Sequence, residues 1–277
     1  MTGNMTRRDT WLTTHPYLRR VGDFQTQFER VAASIPVTAI NLPNWDDYSE
    51  EFNAGVPLLQ STSYAFDFET AGRIFVSLTM ALASIPLPDK LAFEIRELSN
   101  ELSQNSDGPI RAIEWLLDKQ AAVLPGLGIR RYIGWAAVRR YLRPLVEGFT
   151  RWRQEEHWLR RYCPTCGSHP AMAQLIGVDP GRLRFLFCGG CETRWRFRRT
   201  GCPFCETEDD HCLTSITFEG EGGLRIDYCA SCGSYIKTYD GIGNESVLLA
   251  DWTSLHLDVF ARERGLVPSA ESLYELS

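Results

Sequence analysis

The sequence between residues 163 and 232 contains four Cys-x-x-Cys pairs: Cys163-Pro-Thr-Cys166, Cys188-Gly-Gly-Cys191, Cys202-Pro-Phe-Cys205 and Cys229-Ala-Ser-Cys232. Of the nine cysteines in the chain, only Cys212 lies outside these pairs. A Cys-x-x-Cys pair on a tight turn directs both sulfur atoms toward one point, and two such turns complete the tetrahedron of ligands that zinc and iron accept. The chain therefore has the ligands for two four-cysteine metal sites.

The order of the pairs along the chain predicts which of them share an ion. We expect the first two pairs to form site 1, with the ligands Cys163, Cys166, Cys188 and Cys191. The last two pairs then form site 2, with the ligands Cys202, Cys205, Cys229 and Cys232. The segments between the pairs of each site, residues 167–187 and 206–228, have the length of an out-and-back strand excursion. A crossed pairing of the four turns is the alternative.

The residue directly after each pair predicts the shape of the backbone there. Gly167 and Gly233 follow the first and fourth pairs, whereas Glu192 and Glu206 follow the second and third. This position of a Cys-x-x-Cys turn often requires positive φ, which glycine adopts at little steric cost. Each site thus has one glycine turn and one glutamate turn, and we expect the glutamate turns to be strained or shaped differently.

The ligand set by itself favours zinc at both sites, with a rubredoxin-like, redox-active iron centre as the alternative, because both metals accept four thiolates. Modules this small bury too little apolar surface to fold unaided, so a purely structural role for the ions is one interpretation. Four cysteine ligands leave no open coordination position for metal-hydrolase chemistry. The sequence also lacks Gly-x-Ser-x-Gly, a phosphate-binding loop and His-Glu-x-x-His, so we do not expect an enzyme.

The composition indicates a protein of a reducing compartment that does not insert into a membrane. The net charge of −6 and the pI near 5.5 argue against a nucleic-acid-binding protein, which usually carries a basic excess. No apolar segment of a secretory signal follows Arg7 and Arg8, and the most apolar window, residues 74–85, is too short to cross a bilayer. We therefore expect a cytoplasmic chain whose paired cysteines bind metal rather than form disulfides. Homo-oligomer formation stays open.

The hydrophobic pattern predicts an α+β fold with an N-terminal all-α domain, two tandem rubredoxin-like or zinc-ribbon modules and a C-terminal helix. Helical periodicity is clear in the apolar stripe of Leu91, Ile95, Leu98 and Leu102. We expect the helical domain at residues 1–155, the first module at 156–200, the second module at 201–240, and a turn and helix at 241–277. Residues 129–158 read as one or two helices, with Pro144 as a kink or boundary.

The final helix is expected to start near Asp251, which would cap it, and to end at Gly265. Trp252, Leu255 and Val259 are predicted to form its buried face. Strand-like alternation in residues 194–198 places three arginines on one face and Trp195 on the other. A folding role for this strand ranks above a docking face for a protein partner, and nucleic-acid binding ranks third.

Three residues near the cysteine pairs are candidates for an additional role. Cys212 is read as a small buried residue or an idle thiol, and a reactive thiol or an alternative ligand is the less favoured interpretation. His157 and His169 flank the first pair, but four cysteines already complete each site. Packing or surface positions are therefore expected for both histidines.

The chain resembles the FdhE family of formate dehydrogenase accessory proteins in an ordered set of motifs. These are Trp158 with Cys163-Pro-Thr-Cys-Gly-Ser-His-Pro170, Arg184-Phe-Leu-Phe-Cys-Gly-Gly-Cys191, Trp195 and Arg198 with Cys202-Pro-Phe-Cys205, Tyr228-Cys-Ala-Ser-Cys-Gly-Ser-Tyr-Ile-Lys237, Ala250-Asp251, Leu255-His-Leu-Asp258 and Glu263-Arg-Gly265. The resemblance covers the C-terminal part strongly and extends weakly to Gly55-Val-Pro-Leu-Leu59 in the first half.

This resemblance implies a cytoplasmic helper that is not an enzyme and that binds the catalytic subunit of respiratory formate dehydrogenase before export. It also implies two iron ions held by the eight paired cysteines, so iron becomes the favoured metal and zinc the alternative. Two mechanisms compete: a chaperone that holds the immature subunit, and a redox protein that passes an electron to it. The rival classes are a nucleic-acid-binding zinc ribbon and a free rubredoxin-like electron carrier.

Overall fold

The computed structural model describes residues 6–37, 40, 42–117, 127–178, 181–242, 245–270 and 272–274. In these ranges, seven α-helices precede the first cysteine: α1 Arg7–Thr14, α2 Arg19–Ser34, α3 Trp45–Ala54, α4 Phe68–Ala83, α5 Asp89–Gln104, α6 Gly108–Leu117 and α7 Leu127–Trp152. The strands are β1 Pro170–Ile176, β2 Leu183–Cys188, β3 Arg194–Phe197, β4 Leu213–Thr217, β5 Leu224–Cys229, β6 Ser234–Asp240 and β7 Val267–Pro268, with α8 Glu245–Leu248 and α9 Leu255–Glu263 between the last two.

Helix α4 is the centre of the helical part. Its sequence is apolar on most sides, and it packs against α5, α6 and α7. Asp67 starts the helix by accepting a hydrogen bond from the backbone N–H of Thr70 (2.9 Å), which satisfies a donor that the first turn leaves without a partner. Pro144 lies inside α7, which continues through it to Trp152, so the proline is not a helix boundary.

The strands of both cysteine modules form one sheet in the order β3-β2-β1-β6-β5-β4, with β7 beside β6. Pairing is antiparallel within each module, and the parallel pair β1–β6 joins the modules. Helices followed by a strand-rich region and a C-terminal helix confirm the predicted α+β class. The boundaries of the four predicted units stay a prediction, because buried side chains of the helices and of the first module form one continuous cluster.

Two predictions for the C-terminal region, the helix cap at Asp251 and the burial of Val259, are wrong. A short 3-10 turn, Asp251–Ser254, precedes α9, and the side chain of Asp251 does not cap it. That carboxylate instead accepts a hydrogen bond from the buried ammonium of Lys237, which also donates to Asp258 (2.7 Å). Val259 is exposed, although Trp252 and Leu255 are buried as predicted. The hydrogen bond from Lys237 holds Asp258 against β6, so the buried stripe of α9 runs through Leu255, Asp258 and Ala261 and leaves Val259 outside it.

Candidate metal centres

The eight paired cysteines lie in two groups of four, and the groups follow the order of the chain. In site 1 the sulfur atoms of Cys163 and Cys191 are 3.5 Å apart, and those of Cys166 and Cys188 are 3.4 Å apart. In site 2 the sulfurs of Cys202 and Cys232 are 3.7 Å apart. The sulfurs of Cys205 and Cys229, in the same site, are 3.8 Å apart. The crossed pairing is therefore wrong.

These separations fit a metal ion and do not fit disulfide bonds. A tetrahedron with metal–sulfur bonds of about 2.3 Å has edges of about 3.8 Å, whereas a disulfide joins two sulfurs at about 2.05 Å. None of the nine cysteines is in a disulfide, and within each group the four sulfur atoms lie within 4.8 Å of one another. Each group can thus surround one tetrahedral ion, and both zinc and iron suit the four thiolates.

Four turns of the same shape position the sulfurs. In each turn the N–H of the residue after the second cysteine donates to the carbonyl oxygen of the first cysteine, at 2.8–3.1 Å. That residue has positive φ in all four cases: 73° at Gly167, 72° at Gly233, 62° at Glu192 and 61° at Glu206. The two glutamates are the only non-glycine residues with positive φ in the part of the chain that the structure describes. The glutamate turns therefore keep the glycine shape and hold backbone strain, which was the first of the two expected outcomes.

Hydrogen bonds around the sulfurs support the ligand geometry. Backbone N–H groups point at sulfur in both sites, from Cys191 to Cys188 and from Phe204 to Cys202, each at 3.4 Å. In site 1 the hydroxyl of Thr193 lies 3.2 Å from the Cys191 sulfur and bonds to a second buried threonine hydroxyl at 2.7 Å. Reasoning from the sequence missed these hydroxyls, although the Cys-x-Thr spacing of Cys191 and Thr193 is a local signal that could have found one of them.

The two sites differ in their exposure to solvent. All four cysteines of site 1 are buried. In site 2 Cys202 and Cys229 are buried, whereas Cys205 and Cys232 are exposed. Site 1 therefore lies inside the protein, and site 2 presents one edge of its sulfur cluster at the surface.

Site 1 is buried because the helical part packs on both of its turns. The N–H groups of Leu58 and Leu59 donate to the carbonyls of Pro164 and Thr165, both at 2.9 Å, so the Gly55–Leu59 segment holds the first turn. On the second turn, a Cβ at Gly190 would meet the indole ring of Trp135 in α7 at 2.8 Å. Site 1 thus forms the joint between the helices and the sheet.

A buried cation accompanies site 1. The guanidinium of Arg153 is nearly inaccessible, and its Nη2 donates to a backbone carbonyl of β3. Burial lowers the pKa of Arg153, while the charges of Cys163 and Cys191 act in the opposite direction. Its Nε and Nη1 groups have no hydrogen-bond partner among the described residues. Four thiolates around a divalent ion carry a net charge of about −2, so this arginine offsets part of that charge.

The thiols of each site differ in acidity. Hydrogen bonds from the other three cysteines hold the pKa of Cys166 well below its ordinary value, and burial raises the pKa of Cys191. In site 2 burial raises the pKa of Cys202 to about 12. Burial also opposes ionisation of Cys232, but hydrogen bonds from Ser234 and the neighbouring thiols outweigh it and lower the pKa to about 7. Binding an ion must release protons from the weakly acidic thiols, so affinity falls in acid.

The other candidate residues stay outside both groups. The thiol of Cys212 is half-buried and donates to the Asp209 carboxylate (3.5 Å), and partial burial and that carboxylate raise its pKa. A raised pKa argues against a reactive thiolate. His157 lies in an exposed turn and His169 lies edge-on to Phe204, and neither belongs to a ligand group among the described residues.

The arginine-rich strand has the predicted alternation. Trp195 and Phe197 are buried, and Arg194 stacks on the ring of Phe185 at 3.7 Å. The two following arginines form ion pairs with Glu156 and Glu208. Carboxylates therefore pair with two of the three arginines on this face, which argues against a phosphate-binding surface. Within the described ranges, no helix is both long and apolar enough to span a membrane.

Comparisons with known proteins give similarities to one family. The family model described as "FdhE, central domain" matches residues 162–199, which include site 1. A protein named "Protein FdhE homolog" from Aquifex aeolicus is 33% identical over 134 residues, covering 46% of this chain and 47% of that protein. A Citrobacter koseri protein of the same name is 33% identical over 142 residues, covering 49% and 45%. The chain thus spans about half the length of the curated relatives it matches.

The fold has a solved counterpart. A crystal structure titled as the FdhE protein from Pseudomonas aeruginosa superposes with a TM-score of 0.63 over 98% of this chain and 97% of that chain, at 20% sequence identity. At this identity the likeness concerns the fold. Together with the matched central segment, it confirms the resemblance that the cysteine motifs predicted.

Proposed function

We propose that this chain, which resembles the FdhE proteins in its central segment and its fold, is a cytoplasmic accessory protein for formate dehydrogenase. In this proposal it binds the catalytic subunit before export and holds one metal ion in each four-cysteine site, through Cys163, Cys166, Cys188 and Cys191 in site 1 and through Cys202, Cys205, Cys229 and Cys232 in site 2. The unequal burial of two otherwise similar sites is the observation that carries the proposal.

Site 1 serves as the structural joint in this proposal. Its sulfurs are buried, its turns pack on the helical part, and its hydroxyls bond to one another. Removal of an ion from such a site leaves four buried thiols without a partner that fits them, and structural zinc in small modules contributes roughly 10–16 kcal/mol of apparent folding free energy. We therefore assign site 1 to holding the helices and the sheet together.

Site 2 forms part of the surface that contacts the catalytic subunit. Cys205 and Cys232 are exposed, and so is the tip of the last turn, Ala230 and Ser231. Protein interfaces favour exposed features on a rigid support, and the ion makes this turn rigid. With four cysteine ligands the site has no open position for a substrate, which supports an accessory role rather than catalysis.

Binding to the catalytic subunit tests the assignment of site 2. We would co-express both proteins and compare the amount of catalytic subunit that co-purifies with wild type and with Ser231→Arg, which keeps every sulfur. We expect a loss of about tenfold in affinity, or roughly 1.4 kcal/mol. Glu97→Arg, at an exposed position of helix α5, is the control and should bind as wild type does. Equal binding of Ser231→Arg and wild type would contradict the proposal.

Iron is the favoured ion, and its role separates the two mechanisms. Zinc has no redox chemistry, so a protein loaded with zinc can act as a chaperone but cannot transfer an electron. We expect zinc-loaded protein to support maturation of active formate dehydrogenase. In this proposal site 1 only stabilises the fold, and binding at site 2 depends on the geometry of its turns, which zinc maintains as well as iron does. Maturation by the iron-loaded form alone would favour the redox mechanism.

The exposed edge of site 2 also favours a second candidate, a rubredoxin-like electron carrier. Such a carrier requires a reversible iron potential and a partner that it reduces repeatedly. Voltammetry of the iron-loaded protein distinguishes the two: absence of a reversible couple excludes the carrier and leaves the accessory function intact.

A further inference from the structure

A second kind of ligand cluster brings together three residues from segments far apart in the sequence. His15 follows α1, Glu221 lies in the turn between β4 and β5, and His256 is in the first turn of α9. The Nε2 atoms of His15 and His256 lie 3.2 Å and 2.8 Å from the same carboxylate oxygen of Glu221. The ligand atoms of all three lie within 4.8 Å of one another.

The hydrogen bonds of Nδ1 in His15 bear on whether Nε2, the nitrogen that faces Glu221, carries a proton. Its Nδ1 lies 3.0 Å from the carbonyl oxygen of Trp11, an atom that only accepts hydrogen bonds. The hydroxyl of Thr14, 2.9 Å from the same Nδ1, itself donates to that carbonyl. The tautomer with the proton on Nδ1, donating to the Trp11 carbonyl, leaves a lone pair on Nε2 of the neutral imidazole.

That lone pair faces a carboxylate oxygen, which is a second acceptor. Two acceptors at 3.2 Å repel each other unless a cation lies between them, either a proton on the imidazole or a metal ion. A histidine that donates its other N–H to a backbone carbonyl is the usual arrangement of a metal ligand, because that hydrogen bond fixes the ring and its tautomer.

The surroundings restrict the two rings and leave an entrance. The ring of His15 stacks on the indole of Trp11 at 3.7 Å, and the ring of Tyr17 lies edge-on to both imidazoles. The side chains of Glu221 and His256 keep 15% and 20% of their surface exposed, so an ion can reach the cluster from solvent.

We propose that His15, Glu221 and His256 bind a third metal ion, a divalent transition metal of the zinc class, independently of the two cysteine sites. Two imidazole nitrogens and one carboxylate oxygen are a known ligand set for zinc, with water in the fourth position. Tetrahedral bonds of about 2.0–2.1 Å require ligand atoms about 3.3 Å apart. The His15–Glu221 separation of 3.2 Å matches this edge, and the His256–Glu221 separation of 2.8 Å lengthens when an ion is bound. The ion connects the end of α1, the β4–β5 turn and α9, which lie far apart in the sequence.

Metal stoichiometry tests this inference and does not depend on any role in formate dehydrogenase maturation. The whole chain with zinc in both cysteine sites is dialysed against Co²⁺ and analysed for total metal. We expect three ions per chain in wild type and two in His256→Gln and in Glu221→Gln. Tyr17→Phe is the matched control, since it changes a neighbouring ring and no ligand, and should keep three ions.

X-ray absorption at the cobalt edge provides a readout on the wild-type protein that needs no variant. We expect only nitrogen and oxygen neighbours around the third ion. Sulfur neighbours would show that cobalt had entered the cysteine sites, and together with a total of two ions they would overturn the inference. A third ion that persists in both variants would overturn it as well.

Discussion

Replacement of Glu206 tests whether the glutamate turns hold backbone strain. Glu206 has φ of 61° and its N–H donates to the Cys202 carbonyl at 3.0 Å, the same geometry as Gly233 in the partner turn of site 2. A residue with a Cβ in this conformation costs roughly 1–2 kcal/mol. Glu206→Gly removes that cost, whereas Glu206→Ala retains it, so the difference between the two variants isolates the backbone.

The expected difference is smaller than the full strain. Glycine also increases the conformational freedom of the unfolded chain, which lowers stability by about 0.4–1 kcal/mol relative to alanine. The net advantage of Glu206→Gly over Glu206→Ala is therefore about 0.8 kcal/mol, the difference between the midpoints of the two ranges. The ion pair of Glu206 with Arg161 is long, at 3.8 Å, and about half exposed, and it is lost in both variants.

The opposite change, from glycine to alanine, can be made at Gly233, the equivalent position of the other turn of site 2. A Cβ at Gly233 would meet no atom within 4 Å, so Gly233→Ala introduces strain without a steric clash. We expect it to lower stability by about the amount that Glu206→Gly gains over Glu206→Ala. In a chain of this size, 1 kcal/mol corresponds to about 2–4 °C in the thermal midpoint.

The assay is thermal unfolding followed by circular dichroism, with the same excess of metal for every variant, because bound metal shifts the midpoint by mass action. Loss of metal to a chelator provides a second, local readout at site 2. Equal midpoints of the alanine and glycine variants at position 206, or a Gly233→Ala variant as stable as wild type, would refute the claim that these turns are strained.

Three further predictions concern single contacts, and each is checked by measuring the free energy of unfolding. Lys237→Met leaves the buried Asp258 and the partly buried Asp251 without their cation, and we expect a loss of about 3–5 kcal/mol, partly recovered when Asp258 is changed to Asn in the same protein. Hydrogen bonds from Thr70 lower the pKa of Asp67, so the charged carboxylate stabilises the folded state. We expect Asp67→Ala to lower the free energy of unfolding by about 1 kcal/mol above about pH 4. This difference from wild type should disappear as the pH falls further and the carboxylate is protonated. Gly190→Ala brings a Cβ against an indole ring and should cost about 1–3 kcal/mol.

Each of these predictions has an outcome that contradicts it. A Lys237→Met variant as stable as wild type would show that hydrophobic packing replaces the ion pairs without loss. A difference between wild type and Asp67→Ala that grows in acid would reverse the sign expected for a carboxyl with a lowered pKa. A Gly190→Ala variant as stable as wild type would show that the second turn of site 1 can move away from α7.

Local patterns predicted much of the candidate metal centres. The grouping of the cysteines, the positive φ after each pair and the alternation in β3 follow from the spacing of residues a few positions apart. Such features depend on bond geometry and steric limits within one turn or strand, which the sequence states directly. The ion pair of Asp251 with Lys237 could not be predicted in this way, because Lys237 lies in β6, far from Asp251 in local structure. Its ammonium binds the carboxylate that was expected to cap the helix.

The sequence by itself determined the four Cys-x-x-Cys turns and favoured their pairing in chain order into two four-cysteine groups. Only the tertiary structure decided that the modules share one sheet, that site 1 is buried while site 2 is exposed, and that His15, Glu221 and His256 meet. The two sites have nearly the same local sequence pattern, so their different exposure comes from the helices and the Gly55–Leu59 segment that pack on one of them. Contacts between residues so far apart depend on how whole elements bury their apolar faces, and no local spacing encodes that choice.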